Sequence, residues 1–114
     1  MIGSLCLLIN CKSSKNTSTN TEKKMSYYTD IKPIMLENCA ISGCHNSATH
    51  KKNLDFSKME DVIKMGMSGK LVSVVNHEKG LEPMPYKKPK LPKETIQKID
   101  KWVKNGMVQW IINN

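Results

Sequence analysis

Residues 39–45 read Cys39-Ala40-Ile41-Ser42-Gly43-Cys44-His45. Two thiols and an imidazole stand within one short stretch, and the chain on both sides is patterned for helices. Before it, Ile31, Ile34 and Met35 recur at helical spacing. Thr29 or Asp30 is placed to cap that helix, and Pro33 is tolerated in its first turn. The helix delivers the chain to Cys39. After the stretch, Ser57-Lys58-Met59-Glu60 reads as a capping box. It opens a helix that carries Met59, Val62, Ile63 and Met65, and Gly66 and Gly69 bracket a break. The apolar run Leu71 to Val75 has no second run to pair with as a sheet, so it reads as a short helix. Leu81 to Pro92 contains Pro83, Pro85, Pro89 and Pro92, a density that leaves only a rigid loop. Pro92 then stands near the start of the last long helix. Its buried face is Ile96, Ile99 and Val103 with Trp102 beside them, and Asn105-Gly106 is the stop signal. Residues 107–114 form a tail apolar enough to pack back. The expected class is all-α, with about four to five short helices.

Composition narrows the class and exposes an oddity. A chain of 114 residues holds one small domain at most. Leu, Ile, Val and Phe together number 25 of the 114, close to the roughly 20% below which disorder becomes the default. Large rings, the usual anchors of a core, are scarcer still: two Trp, three Tyr and one Phe. No apolar stretch approaches the roughly 18 residues of a membrane span, and there is no repeat or sustained heptad. The net charge is +8, and all 18 basic residues are Lys. Base readout relies on the planar guanidinium fork, so no nucleic-acid partner is expected. The lysines read as a solvated surface, or as a means of steering toward an acidic partner.

The N-terminal part reads as an address and a tether. Leu8-Ile9-Asn10-Cys11 resembles the end of a bacterial lipoprotein signal, with Cys11 as the lipidated residue. The apolar run before it, which includes Cys6, is short and lacks a preceding Lys or Arg. Residues 12–26 are almost wholly Lys, Ser, Asn, Thr and Glu, and are expected to form a flexible polar tether. The domain is expected over residues 27–114.

The spacing at the site selects among chemistries. Cys-x-x-Cys-His is the attachment signature of c-type haem. Two thiols add across the haem vinyl groups, and the following imidazole reaches the iron. Here the spacer between Cys39 and Cys44 has four residues, and Gly43 is free to supply the extra turn. Two other readings use the same residues. Cys39, Cys44, His45 and His50 are ligands of the right type for a zinc-binding module, although adjacent Cys44 and His45 suit a tetrahedral site poorly. A plain Cys39–Cys44 disulfide leaves the ring-poor core unexplained.

The order of motifs extends the haem reading. The chain has Ile31-Lys32-Pro33-Ile34, then Cys39 to His45, Leu54-Asp55-Phe56, Met84-Pro85 and Trp102-Val103-Lys104-Asn105-Gly106. Over residues 27–106 it resembles the small monohaem c-type cytochromes of the bacterial cell envelope. The resemblance implies a cytochrome c-like fold around one covalent haem c, with Cys39 and Cys44 as the thioethers. It implies His45 as the proximal iron ligand and Met84 as the distal one. Met84 also has a physical case, because flanking prolines restrict its backbone and a soft thioether suits iron. Met65, Met67 and His77 are the weaker distal candidates. Trp102 and Tyr86 are expected near the haem or its propionates. Lys87, Lys88, Lys90 and Lys93 are expected either to solubilise the loop or to ring an exposed haem edge.

The implied function is electron transfer in the periplasm or envelope, in a respiratory chain, from a lipid anchor and toward acidic redox partner proteins. No enzymatic activity is expected. The alternative is a haem enzyme or sensor whose distal ligand dissociates. On this reading the shortage of large apolar residues is a vacancy that the haem ring fills, and without haem the domain is expected to be largely unfolded.

Overall fold

A computed structural model of the protein describes residues 23–110, together with Gly3. Among the described residues the regular structure is entirely helical. A π-helical turn, Tyr27–Ile31, runs straight into α1 (Lys32–Asn38). A single 3-10 turn, Lys51–Asn53, is followed by α2 (Met59–Met67), α3 (Lys70–Val75) and α4 (Lys93–Lys104). None of these is long and apolar enough to cross a membrane.

The first helical run is held differently from the expectation. Neither Thr29 nor Asp30 caps α1, which has no side-chain cap. Asp30 lies inside the π-helical turn, and its carboxylate accepts the Ser26 N–H at 2.9 Å. A donor at the start of the turn, which has no helical partner of its own, is thereby satisfied. Tyr27, Ile31 and Met35 then fall four residues apart and form one fully buried stripe. Pro33 sits in the first turn of α1, where its missing N–H costs nothing. Met25 and Ser26, just before Tyr27, are already buried.

The capping box at Ser57 also fails to form. Lys58 is the N-cap residue of α2 and makes no side-chain cap. The Ser57 hydroxyl donates to Asp55 instead, and Asp61 in the first turn of α2 accepts the Asp55 N–H at 2.8 Å. The Ser57 hydroxyl is used as a donor to a charged carboxylate instead of as an acceptor for the helix's first N–H groups. Gly66 does not break the chain; it lies inside α2, where an added Cβ would stand 2.6 Å from Met107 Sδ. Its bare backbone lets the C-terminal tail cross the helix closely. The break comes at Ser68–Gly69, where Gly69 adopts φ 76°. The run from Leu71 to Val75 is helical, as read, and buries Leu71 and Val75.

Helix α4 packs on the π-helical turn and on α3, and α3 packs on α2. It presents Ile96, Ile99 and Trp102 to the core, while Val103 is half-buried. The fully buried Trp102 ring lies 5.8 Å from that of Tyr27. Past Gly106 the tail turns back. The Val108 carbonyl accepts both the Tyr27 N–H at 2.9 Å and the Trp102 indole N–H at 3.0 Å. One carbonyl thus ties the start of the fold to its last helix. Trp110 stacks on Tyr28 at 4.2 Å, so the tail packs back through residue 110; residues 111–114 lie outside the described residues.

Candidate functional site

The loop that leaves α1 is shaped by its own backbone. Cys39 closes α1, its N–H donating to the Met35 carbonyl at 2.9 Å. The chain then doubles back: Cys44 N–H reaches the Ile41 carbonyl, and His45 N–H reaches the Cys39 carbonyl, each at 3.0 Å. Gly43 adopts φ 79° within this loop, a conformation that costs residues with a Cβ far more. The four-residue spacer is therefore taken up as a closed turn, which brings Cys39, Cys44 and His45 together. Both cysteines are free thiols. Burial, and then the charge of Cys44, push the Cys39 thiol up to about 11.

His45 is buried, with 8% exposure, and its orientation is fixed. Its Nδ1 lies 3.0 Å from the Lys51 carbonyl. A carbonyl only accepts, so Nδ1 is the donor of this bond, and Nε2 is the ring nitrogen left for another partner. No hydrogen bond reaches Nε2 among the described residues. The Phe56 ring supports the imidazole at 4.8 Å between centroids, and the Phe56 N–H returns to the His45 carbonyl at 2.8 Å. Lys51 N–H meanwhile bonds the Cys44 carbonyl at 3.0 Å, which places Lys51 within reach. An imidazole held through Nδ1, with no protein hydrogen bond at Nε2 and with both cysteines in the same turn, is a donor arrangement that suits a covalently attached haem. The residues present fit that group.

The segment after the loop is braced by Asp55. Its carboxylate accepts the Ser57 hydroxyl and the Ser57 N–H, the latter at 3.0 Å. The Ser57 hydroxyl bond is the main reason that the Asp55 carboxyl is held below the usual carboxylate range. Asp55 adjoins Phe56, so this bracing also sets the ring that rests on His45.

His50 does not join the thiols. It is exposed, and with Ser47, Asn53, Asp55, Lys58 and Asp61 it lines a polar recess of about 250 Å³. Among the described residues no group of three or more His, Cys, Asp or Glu side chains is arranged to hold a metal ion. The geometry thus separates the four residues of the zinc reading.

Met84 is half-buried in the proline loop and is tied to the end of α3. Its N–H donates to the Val74 carbonyl at 3.0 Å, and its carbonyl faces His77 Nε2 at 3.1 Å. Of the other distal candidates, Met65 is half-buried on α2, and Met67 is exposed. Trp102 is a core residue whose only side-chain donor is taken by Val108. Its role is therefore packing, since no N–H is left for a propionate. Tyr86 is exposed, with Lys87 Nζ 5.2 Å from its ring centroid. The lysine cluster divides. Lys87 lies over Tyr86, while Lys90 and Lys93 line a second recess with Leu91, Ile96 and Asp100. Cys11 falls outside the described residues.

Three partners were not legible in advance. The Lys51 carbonyl carries no side-chain signal, because any residue supplies a carbonyl. Phe56 was visible within a motif but not as the support of His45. His77 stood out only as a rival ligand, and seven residues separate it from the carbonyl it bonds.

Comparison of the chain with family models, with curated proteins and with solved structures returned no match.

Proposed function

We propose that residues 27–114 form a monohaem c-type cytochrome domain that transfers electrons. The observation that carries this reading is His45. Its Nδ1–H is given to the Lys51 carbonyl, its Nε2 is free, and Cys39 and Cys44 stand in the same closed turn. In this reading Cys39 and Cys44 hold the haem as thioethers, His45 is the proximal ligand, and Met84 is the distal one. When bound, the haem supplies one-electron iron chemistry.

The chain's own residues do the rest. Lys51 and Phe56 fix the imidazole, so that little rearrangement accompanies a change of charge at the iron. The half-buried apolar side chains Leu54, Met59, Ile63, Met65, Val72 and Val74, which pack against the core, are the apolar surface that a flat ring could still cover. With both axial positions filled by protein, substrate access is closed and outer-sphere electron transfer is what remains. The cytochrome c-like arrangement of the helices around the ring belongs to the same proposal. So does a membrane tether through a lipidated Cys11 in the cell envelope, and docking of the exposed lysines to an acidic redox partner in a respiratory chain.

The test is the intact mass of protein made in a host with haem-attachment machinery. It should exceed the chain mass by one haem. Replacing both Cys39 and Cys44 with Ala should return the mass to that of the bare chain. A wild-type mass without haem overturns the proposal.

A further inference from the structure

We propose that His77 is the positioning residue of the distal loop: its imidazole N–H holds the Met84 carbonyl and thereby keeps the Met84 thioether on the iron. This rests on the electron-carrier reading above and goes beyond it, because it assigns a function to a side chain that touches neither haem thioether nor iron.

The argument begins with what else could hold Met84. Pro83 and Pro85 have no N–H, so within residues 83–85 only Met84 can donate from the backbone. Residues 78–83, which lead into the loop, are all exposed; Glu82 pairs with Lys52 at 3.3 Å and the Glu78 N–H bonds the Ser73 carbonyl at 3.1 Å, but neither contact is made to Met84. The anchoring therefore falls to the end of α3. The Val74 carbonyl, in the last turn of α3, takes the Met84 N–H at 3.0 Å. His77 takes the other side, with Nε2 at 3.1 Å from the Met84 carbonyl. Because that carbonyl only accepts, Nε2 carries the proton.

The two bonds lie on either side of the same Cα, so together they fix the direction of the Met84 side chain. One bond alone would leave the residue free to swing about the other. His77 is itself presented by an unusual backbone, with φ 56°, where His and Asn are favoured over most residues. Its N–H also returns to the Val74 carbonyl at 3.2 Å. The carbonyl of Val74 thus gathers His77 and Met84 at one point. A histidine whose Nε2 is already committed in this way does not offer that nitrogen to iron. His77 therefore supports the distal ligand and does not compete with it.

The experiment compares haem-loaded wild type with His77→Ala, His77→Gln, His77→Asn and Met84→Ala. Three readouts report the thioether at the iron: the far-red absorption band of thioether-ligated ferric iron, the reduction potential, and carbon monoxide binding to the reduced protein. In His77→Ala the band should weaken and the potential should fall. Carbon monoxide affinity should rise roughly threefold to tenfold, the equilibrium worth of one hydrogen bond. Gln places its amide N–H near the position of Nε2 and should restore all three. Asn suits the backbone but is too short, so it should behave like Ala; it also carries the test if His77→Ala loses its haem. If His77→Ala and His77→Asn keep the band, potential and affinity of wild type while only the unfolding midpoint falls, the positioning role is overturned. Met84→Ala separates the levels. If it leaves the band intact, the distal assignment itself is wrong and the proposal falls with it; if it abolishes the band while the His77 variants change nothing, only the His77 proposal falls.

Discussion

The imidazole of His45 donates its Nδ1–H to the Lys51 carbonyl at 3.0 Å, so the opposite nitrogen is the one left for another partner. The contact is made by a side chain and a backbone group six residues apart. It converts an imidazole that could face either way into one with a single orientation. Replacing His45 with Ala should leave two thioether bonds in place, since Cys39 and Cys44 are untouched. The haem-loaded variant should keep its covalent haem by mass and lose the sharp low-spin bands in its absorption spectrum. Retained low-spin bands would remove His45 from the iron.

Met84 is held by its backbone on both sides, which suits a ligand that must stay bound in two redox states. Replacing it with Ala should open the iron to carbon monoxide in the reduced protein. It should also lower the reduction potential, because thioether ligation raises it. Redox titration and carbon monoxide difference spectra check both. A variant unchanged in both would move the distal ligand elsewhere.

Trp102 joins α4 to the first helical turn through its ring and to the tail through its N–H. In haem-loaded protein, Trp102→Ala should cost about 3–5 kcal/mol of unfolding free energy by denaturant titration. Trp102→Phe should cost much less. The Val108 carbonyl keeps its bond from the Tyr27 N–H, so losing the indole donor leaves no acceptor orphaned.

The sequence was most legible where a period or a chain-breaking residue settled the matter. On α4 the spacing picked out Ile96 and Ile99 but put Val103 on the buried face with Trp102 beside it, whereas Trp102 is the buried residue and Val103 is half-buried; the proline loop followed from composition. The grouping of Cys39, Cys44 and His45 followed from adjacency. What escaped notice depends on contacts between distant residues or on the backbone. Asp30 and Ser57 both carry capping chemistry, yet each bonds elsewhere, because Ser26 N–H and the Asp55 carboxylate are better placed. Gly66 looked like a break and proved to be a clearance for Met107, a contact 41 residues away in sequence. The Lys51 carbonyl and the His77–Met84 bond lacked any compositional mark.

Asp55 links the stability of this region to pH. The Ser57 hydroxyl holds its folded carboxyl below the usual carboxylate range, so the unfolded chain binds the proton more readily. The stabilisation is therefore present above that range and is lost as pH falls through it toward the lower folded value. Unfolding free energies of haem-loaded wild type and Asp55→Asn, measured from pH 7 down to about pH 3, should differ at neutral pH. They should converge as the wild-type carboxylate becomes protonated. Parallel curves would mean that Asp55 does not brace the loop in its charged form.

The most direct test is the absorption spectrum of the purified protein from a host that attaches c-type haem. Sharp reduced-state bands that remain with the polypeptide after acid–acetone extraction are the predicted result. Protein made without haem should in turn lack a cooperative unfolding transition, since the ring is expected to complete the core. A colourless, soluble product from the attaching host that unfolds cooperatively would contradict the account.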